Sequence, residues 1–267
     1  MTHLALGLAG PHLIELAGNP ALLARWEALP LAYTVLGIDR IDGSGPSPVT
    51  LDSSAIGASL AARTRQARFL IVASPQRDQP YNLARRVASL GHLSRGRSGV
   101  LFGAADAYAV PEPGGLPLTA ATAIDAARVV RALEQSWPYD SVIGDRETGI
   151  LVQSDRIVHI DHDGVYSVAG PLNVPEPPTG ASLIAWYPTG PDDVVADSAP
   201  IDLIVGPGTL LRPVAGQSLA EILTDIESRA FTPVPPGPLR AALGLSAPAR
   251  AVGGRPAFAV PAPNPSL

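Results

Sequence analysis

Residues 67–74, ARFLIVAS, form an unbroken apolar run of strand length. The segment after them repeats apolar side chains at Leu83, Val87 and Leu90, spacings of four and three that place them on one helix face. Ser94 to Gly99 is a polar, Gly-rich turn, and SGVLFGAA opens a second apolar run. The unit therefore predicts a strand, a helix and a parallel strand, with 74–81 as the loop at the C-terminal end of the first strand, where such folds place ligands. The same alternation extends in both directions. Residues 3–9 predict a first strand followed by a loop, after which Asn19 and Pro20 open a helix with Leu22, Leu23, Trp26 and Leu29 on one face. Residues 32–38 predict a second strand, ending at Asp39 in the Gly- and Pro-rich loop DRIDGSGPSP, and Asp52 caps a helix through Ile56 and Leu60.

Downstream, DAYAVPEPGGLP is a loop, and Thr119 opens a helix with Ile124, Ala127, Val130, Leu133 and Trp137 inward. Residues 138–180 lose the helical period; 156–161 and 164–169 alternate about a His-Asp-Gly turn, a hairpin pattern. Residues 182–187 and 201–206 predict the fifth and sixth strands. Ser218 with Glu221 forms a capping box ahead of Leu219, Ile222, Leu223 and Ile226. Beyond Arg229 the chain is Pro-rich, with at most a helical turn or two in PGPLRAALGL. The expected organisation is a single α/β barrel-like domain over 1–229, carrying an insertion at 138–180, and a tail over 230–267.

Composition narrows the function classes. The chain has 267 residues, 46% hydrophobic and 16% charged, enough for one barrel-sized core. It contains no cysteine, which removes disulfides, thiolate metal sites and cysteine nucleophiles and permits a reducing cytoplasm, the expected location. No run approaches the roughly 20 apolar residues of a membrane span. A net charge of -5 without a basic cluster argues against nucleic acid. GxSxG, Walker and HExxH motifs do not occur. His159, Asp161, His162 and Asp163 have the residue types of a metal site but sit at a hairpin turn, where Asp is expected anyway, so no metal is assigned.

The ungapped stretch PYNLARRVASLGHLSRGRSG at 80–99 resembles the PYNLAR…LDHLSGGR signature of the bacterial luciferase-like, flavin-dependent monooxygenases. The branch it is similar to contains nitrilotriacetate and dibenzothiophene-sulfone monooxygenases. Residues 136–180 resemble the insertion of that family between its fourth helix and fifth strand, and PGPLRAALGL is similar to its C-terminal TLREHLGL. The resemblance implies a (β/α) TIM-like barrel. It also implies FMN at the strand C-terminal ends, a separate flavin reductase, and pairing through helices of the first half of the barrel. About 190 residues outside the insertion and tail allow about six βα units of the eight in a closed barrel. The barrel is thus expected to be incomplete, with the shortfall between Tyr187 and Gln217.

Position by position, the family contacts are altered. The fourth strand of the family, GWNVVTS, is matched by Gly99 to Ala105, so its amide and hydroxyls become Leu101, Ala104 and Ala105. The phosphate-holding QAG-S-x-x-G turn after its fifth strand is matched by AWYPTGPDDVV, in which Thr189 and Gly190 remain but Asp192 and Asp193 bring negative charge. The remaining cofactor-binding candidates are Asp39, Ser74, Tyr81 and Asn82. Asp39 matches the Ala-Asp pair that lies beside the flavin in the family, or is an ordinary loop aspartate. Tyr81 reads as a flavin hydrogen-bonding group or as a packing aromatic. Arg77 is a candidate phosphate ligand or a solvated loop charge, and His92 reads as structural. Two functions follow: an FMN-dependent monooxygenase oxidising a small organic substrate, or a non-catalytic or weakly active relative that forms a homodimer or pairs with a full-length family member.

Overall fold

The computed structural model describes residues 4–110, 113–190, 193, 195, 196, 199–214, 216–229, 233–250 and 254–258. The first half follows the expected alternation: β1 (Ala5–Leu8), α1 (Gly10–Gly18), α2 (Pro20–Ala28), β2 (Tyr33–Leu36), α3 (Ser53–Arg63), β3 (Phe69–Ala73), α4 (Pro80–Ser94), β4 (Ser98–Phe102) and α5 (Ala120–Gln135). Helix α1 is a correction, since 10–18 read as loop. Gly10-Pro11 places proline in the first turn, where its missing N–H costs nothing, and Leu13 and Leu16 face the core. His3, at the edge of the predicted first strand, lies outside the described residues.

The insertion carries β5 (His162–Asp163) paired antiparallel with β6 (Ser167–Val168). The hairpin turn is therefore Gly164 to Tyr166, two to three residues later than the alternation suggested, because Asp125 on α5 accepts from the Tyr166 N–H and sets the turn there. The second half of the sheet is β7 (Leu183–Trp186), β8 (Leu203–Ile204) and β9 (Leu210–Leu211), followed by α6 (Leu219–Glu227) and, in the tail, α7 (Leu239–Ala242).

One parallel sheet of seven strands runs in the order β8-β7-β4-β3-β2-β1-β9, one strand more than expected. The extra strand, β9, has two residues and no periodicity to reveal it; its pairing partner is β1, about two hundred residues earlier in the chain. Its position beside β1 is that of the last strand of a closed barrel, and α6 completes the last unit by packing on α1 and α2. Among the described residues the sheet is one strand short of a closed barrel, and no α-helix comes between β7 and β8 or between β8 and β9. The two ends of the sheet are consecutive in the chain. β8 pairs high on β7, at Ala185 and Trp186, whereas β9 pairs low on β1, at Ala5 and Leu6. The link 205–209 descends across the gap, with Val205 buried and its N–H on Trp186 O at 2.9 Å.

Side chains from both ends of the sheet meet in one cluster: Ala5, Val35, Leu70, Val72, Leu101, Leu183, Ala185, Val205 and Leu210. That contact requires the sheet to curl into a barrel wall around them. The opposite face, with Leu6, Leu36, Phe69, Ile71, Val100, Phe102 and Trp186, packs under the helices. The tail closes the N-terminal end of the barrel. Leu239 on α7 is fully buried in the interior cluster, its N–H bonds Gly96 O at 2.8 Å, and Arg68 Nη1 holds Pro235 O at 3.0 Å. Further along, Val158 bridges Pro256 and His159 N–H bonds Arg255 O, so the tail also adds backbone pairing to the insertion. Among the described residues no helix is long and apolar enough to cross a membrane.

Candidate functional site

The loops after β2, β3, β4, β7 and β9 converge on the C-terminal mouth of the barrel. After β2 the chain turns at Gly37 (φ 82), a left-handed conformation that favours glycine, into the single 3-10 turn Ile38–Arg40. This turn directs Ile38 and Ile41 down onto the mouth, and both are buried. A Cβ at Gly103 would lie 2.6 Å from the Ile41 Cβ, so the glycine after β4 is what lets Ile41 seat there. Leu101, where the family sequence has asparagine, is buried in the interior cluster below. The space over the barrel axis is thereby bounded by hydrocarbon.

Around that apolar plug lies a ring of polar contacts. Asp39 is buried; its Oδ2 accepts from the Tyr108 hydroxyl at 2.5 Å and from Ser47 Oγ at 3.0 Å, and its Oδ1 has no partner. Burial, then the hydrogen bond to Asp39, raise the Tyr108 phenol above its ordinary value. Arg40 Nη1 pairs with Asp106 Oδ2 at 3.1 Å, and the guanidinium carbon lies 4.4 Å from the Tyr108 ring centroid. Ser74 is buried at the end of β3, its N–H on Asp78 Oδ2 and its hydroxyl without a partner. Arg77, a phosphate-ligand candidate from sequence, pairs with Asp52 instead.

The four cofactor candidates separate into two groups. Asp39 and Ser74 stand at the mouth. Tyr81 donates its hydroxyl to Pro171 O at 3.3 Å and so ties α4 to the insertion, while Asn82 is exposed on the outer side of α4, in a groove against α3. His92 Nε2 contacts Pro175 O at 2.9 Å, a structural role. His162 pairs with Asp125 at 3.0 Å and Asp161 with Arg255, and among the described residues no three His, Cys, Asp or Glu side chains group to hold a metal.

After β7, in the segment matched by resemblance to the family's phosphate-holding turn, one carboxylate gathers the local donors. The N–H groups of Thr189 and Gly190 and the Thr189 hydroxyl all donate to Asp193 Oδ2, at 2.8, 3.2 and 2.7 Å. The Thr189 hydroxyl bond, more than the two backbone bonds, holds the Asp193 carboxyl below its usual range. Asp192 lies outside the described residues.

Arg40, Asp106 and Tyr108 were not singled out from sequence, and neither were two further groups. Arg212, just past β9, donates from Nη1 to Asp42 Oδ2 at 2.5 Å and from Nη2 to the Tyr187 hydroxyl, with its guanidinium carbon 5.6 Å from that ring centroid. It spans the mouth from the closing strand to the loops after β2 and β7. Replacing Arg212 with Ala removes the ion pair of a carboxylate whose side chain is largely shielded, leaving Asp42 with only the Ser44 N–H and hydroxyl, and is expected to cost about 1–3 kcal/mol in urea unfolding. Equal midpoints for variant and parent would show that this strut adds no stability. Glu134 on α5 is fully buried; its Oε1 accepts from Ser182 Oγ at 2.8 Å and its Oε2 has no hydrogen-bond partner.

No protein-family model matches the chain. Among curated proteins it is 32% identical over 192 residues to a subunit of pristinamycin IIA synthase of Streptomyces pristinaespiralis, covering 68% of this chain and 65% of that one. It is 33% identical over 134 residues to N-acetyl-S-(2-succino)cysteine monooxygenase of Bacillus subtilis (strain 168), covering 48% of this chain and 30% of the relative. In three dimensions it superposes on EDTA monooxygenase from Chelativorans sp. BNC1 with a TM-score of 0.53 and 22% identity, over 72% of this chain and 51% of that one. The chain thus spans a little under two thirds of the first relative and under a third of the second. Similar coverage of both partners makes the pristinamycin synthase subunit a chain of nearly this length, whereas the monooxygenase is more than half as long again.

Proposed function

We propose, from the premise that the chain belongs to the luciferase-like flavin monooxygenase family, that it is a non-catalytic or weakly active member serving as a partner subunit. Its mate on this reading is a second chain of the family, in a homodimer or a heterodimer with a full-length relative. The observation that carries the reading is Asp193. Its carboxylate takes the two N–H groups and the hydroxyl that the turn after β7 would offer a flavin phosphate, and a bound phosphate would have to displace it against like charge. Ile38, Ile41 and Leu101 add hydrocarbon where a polar cofactor edge needs donors. On this reading the residues present do not fit FMN. The relative of nearly equal length supports the partner role, since it is itself named as one subunit of a synthase.

A second reading, an active FMN-dependent monooxygenase supplied by a flavin reductase, draws support from one feature. Asp39 Oδ1, Ser74 Oγ and Arg40 Nε are buried near the mouth without partners, polar atoms of the kind a ligand satisfies. Titration of the purified protein with FMN, followed by fluorescence quenching, separates the two. The expected outcome is no saturable quenching in the micromolar range. Saturation below about ten micromolar, roughly -7 kcal/mol, would overturn the partner-subunit reading in favour of the enzyme.

A further inference from the structure

Parallel pairing of β3 with β4 begins at Phe69 and Ser98, so Arg68 and Arg97, the residues that lead into the two strands, are neighbours at the N-terminal end of the barrel. Both side chains are buried, and both are held by neutral oxygens. Arg97 donates to Ala61 O, Thr64 O, Ala67 O and the Thr64 hydroxyl, and Arg68 donates to Leu31 O, Ala32 O and Pro235 O. Such contacts satisfy the N–H groups but leave the charge uncancelled. Burial lowers Arg68; at Arg97 burial acts first, Glu27 opposes it, and Arg95 and Arg68 add to it. Four arginines from two separate segments, 65–68 and 95–97, thus share one end of a chain whose net charge is -5.

The carboxylate among them is committed. Glu27 Oε1 accepts the consecutive N–H groups of Arg65 and Gln66 at 2.5 and 2.9 Å. Capping the C-terminal carbonyls of α3 explains Arg97, but the guanidinium groups of Arg65 and Arg95 are exposed and have no partner among the described residues. Arg65 and Arg68 border a cleft of about 670 Å³ between the end of α2, the loop before β3 and the tail. Its walls are largely apolar and include Leu29, Pro30, Ala67 and Val234. A concave, mainly hydrocarbon space of this size with a few convergent polar groups is the form of a small-molecule site.

We propose that this cleft binds an amphipathic organic anion, an apolar body ending in one carboxylate or phosphate, whose head is gripped by Arg65 in the positive field of Arg68, Arg95 and Arg97. The planar fork of an arginine matches either head group, and the uncancelled charges behind it strengthen the attraction. This activity goes beyond the partner-subunit reading and is independent of it. The cleft opens at the end of the barrel opposite Asp39, Ser74 and the turn after β7, so the FMN titration and the test below can fail separately.

The probe is anilinonaphthalene sulfonate, an aromatic body with one anionic group, added to the full chain and followed by its fluorescence. Saturable enhancement is expected, with a dissociation constant on the order of ten micromolar. Arg65→Ala, which keeps the backbone bond to Glu27, and Gln66→Glu, which adds a negative charge at the rim, are each expected to weaken binding about tenfold or more. Arg146→Ala removes an exposed arginine of the insertion and should leave binding unchanged. All three side chains are exposed, so the variants should retain the parental circular dichroism. Decanoate and decyl phosphate are then tested as competitors, and displacement by either supports the site and identifies the head group it takes. Absence of saturable enhancement, equal affinity in the parent and both rim variants, or failure of both competitors overturns the proposal. So does equally tight binding of the uncharged analogue phenylnaphthylamine, which would show that the arginines do not select an anion.

Discussion

Leu239→Ala should lower the stability of the protein by about 2–5 kcal/mol, and Leu239→Asp should prevent folding at ambient temperature. Leu239 is fully buried at the N-terminal end of the barrel, in contact with the cluster formed by the inward side chains of the sheet. Truncation to alanine removes the transfer free energy of the lost methyl and methylene groups and leaves a cavity that the rigid strand ends cannot collapse to fill. An aspartate there would be a buried charge without a partner, a cost that exceeds the marginal stability of a domain of this size. The effect is large because the barrel is one strand short: α7 and the tail around it cover an end of the interior. Chemical denaturation followed by circular dichroism measures it. A loss below about 1 kcal/mol for the alanine variant would mean that the tail is only loosely docked.

A pH-dependent loss of stability traced to one buried carboxyl is the second large effect. Burial pushes Glu134 up to about 7, opposed in part by Arg131 and by the Ser182 hydroxyl and N–H. The folded value lies above the ordinary glutamate value, so the native state retains a proton that the unfolded chain has released. Stability from this group is full below about pH 4.5 and is lost as pH rises through about 7. The loss is on the order of 3 kcal/mol once both states are ionised. Glu134→Gln keeps the shape and the Ser182 contacts without the titration. Parent and variant should have similar urea midpoints at pH 5, and the variant should be the more stable at pH 8. Curves that stay parallel across this range would show that Glu134 is ionised, or neutral, throughout.

Much of the architecture was legible because it is written in short-range pattern. The run at 67–74 is strand β3, the period of four and three over Leu83, Val87 and Leu90 is α4, and the capping box at Ser218 and Glu221 opens α6 as expected. Asp193 was also partly legible, since its carboxylate and the Thr189 turn are four residues apart and the two acidic residues already spoke against a phosphate there. What it does, filling the donors itself, required the backbone geometry. The candidates Tyr81 and Asn82 share a helix start with Ser74's loop in sequence. Their separation onto the insertion and the outer groove follows from the helix turn, which points successive residues about 100° apart.

The chain alone therefore determined the βα repeat, the capped helices, the shortfall in the barrel and the apolar character of its mouth, because each depends on spacing within a few residues or on composition. Tertiary structure alone decided how the shortened barrel closes. The two-residue strand β9 exists only because β1 offers it a partner. Leu239 is a plug only because the curled sheet leaves an end to cover, and Arg212 is a strut only because Asp42 and Tyr187 are carried to the same side of the mouth. These contacts join residues that no periodicity relates, and their free energy comes from burial and pairing that exist once the sheet has curled.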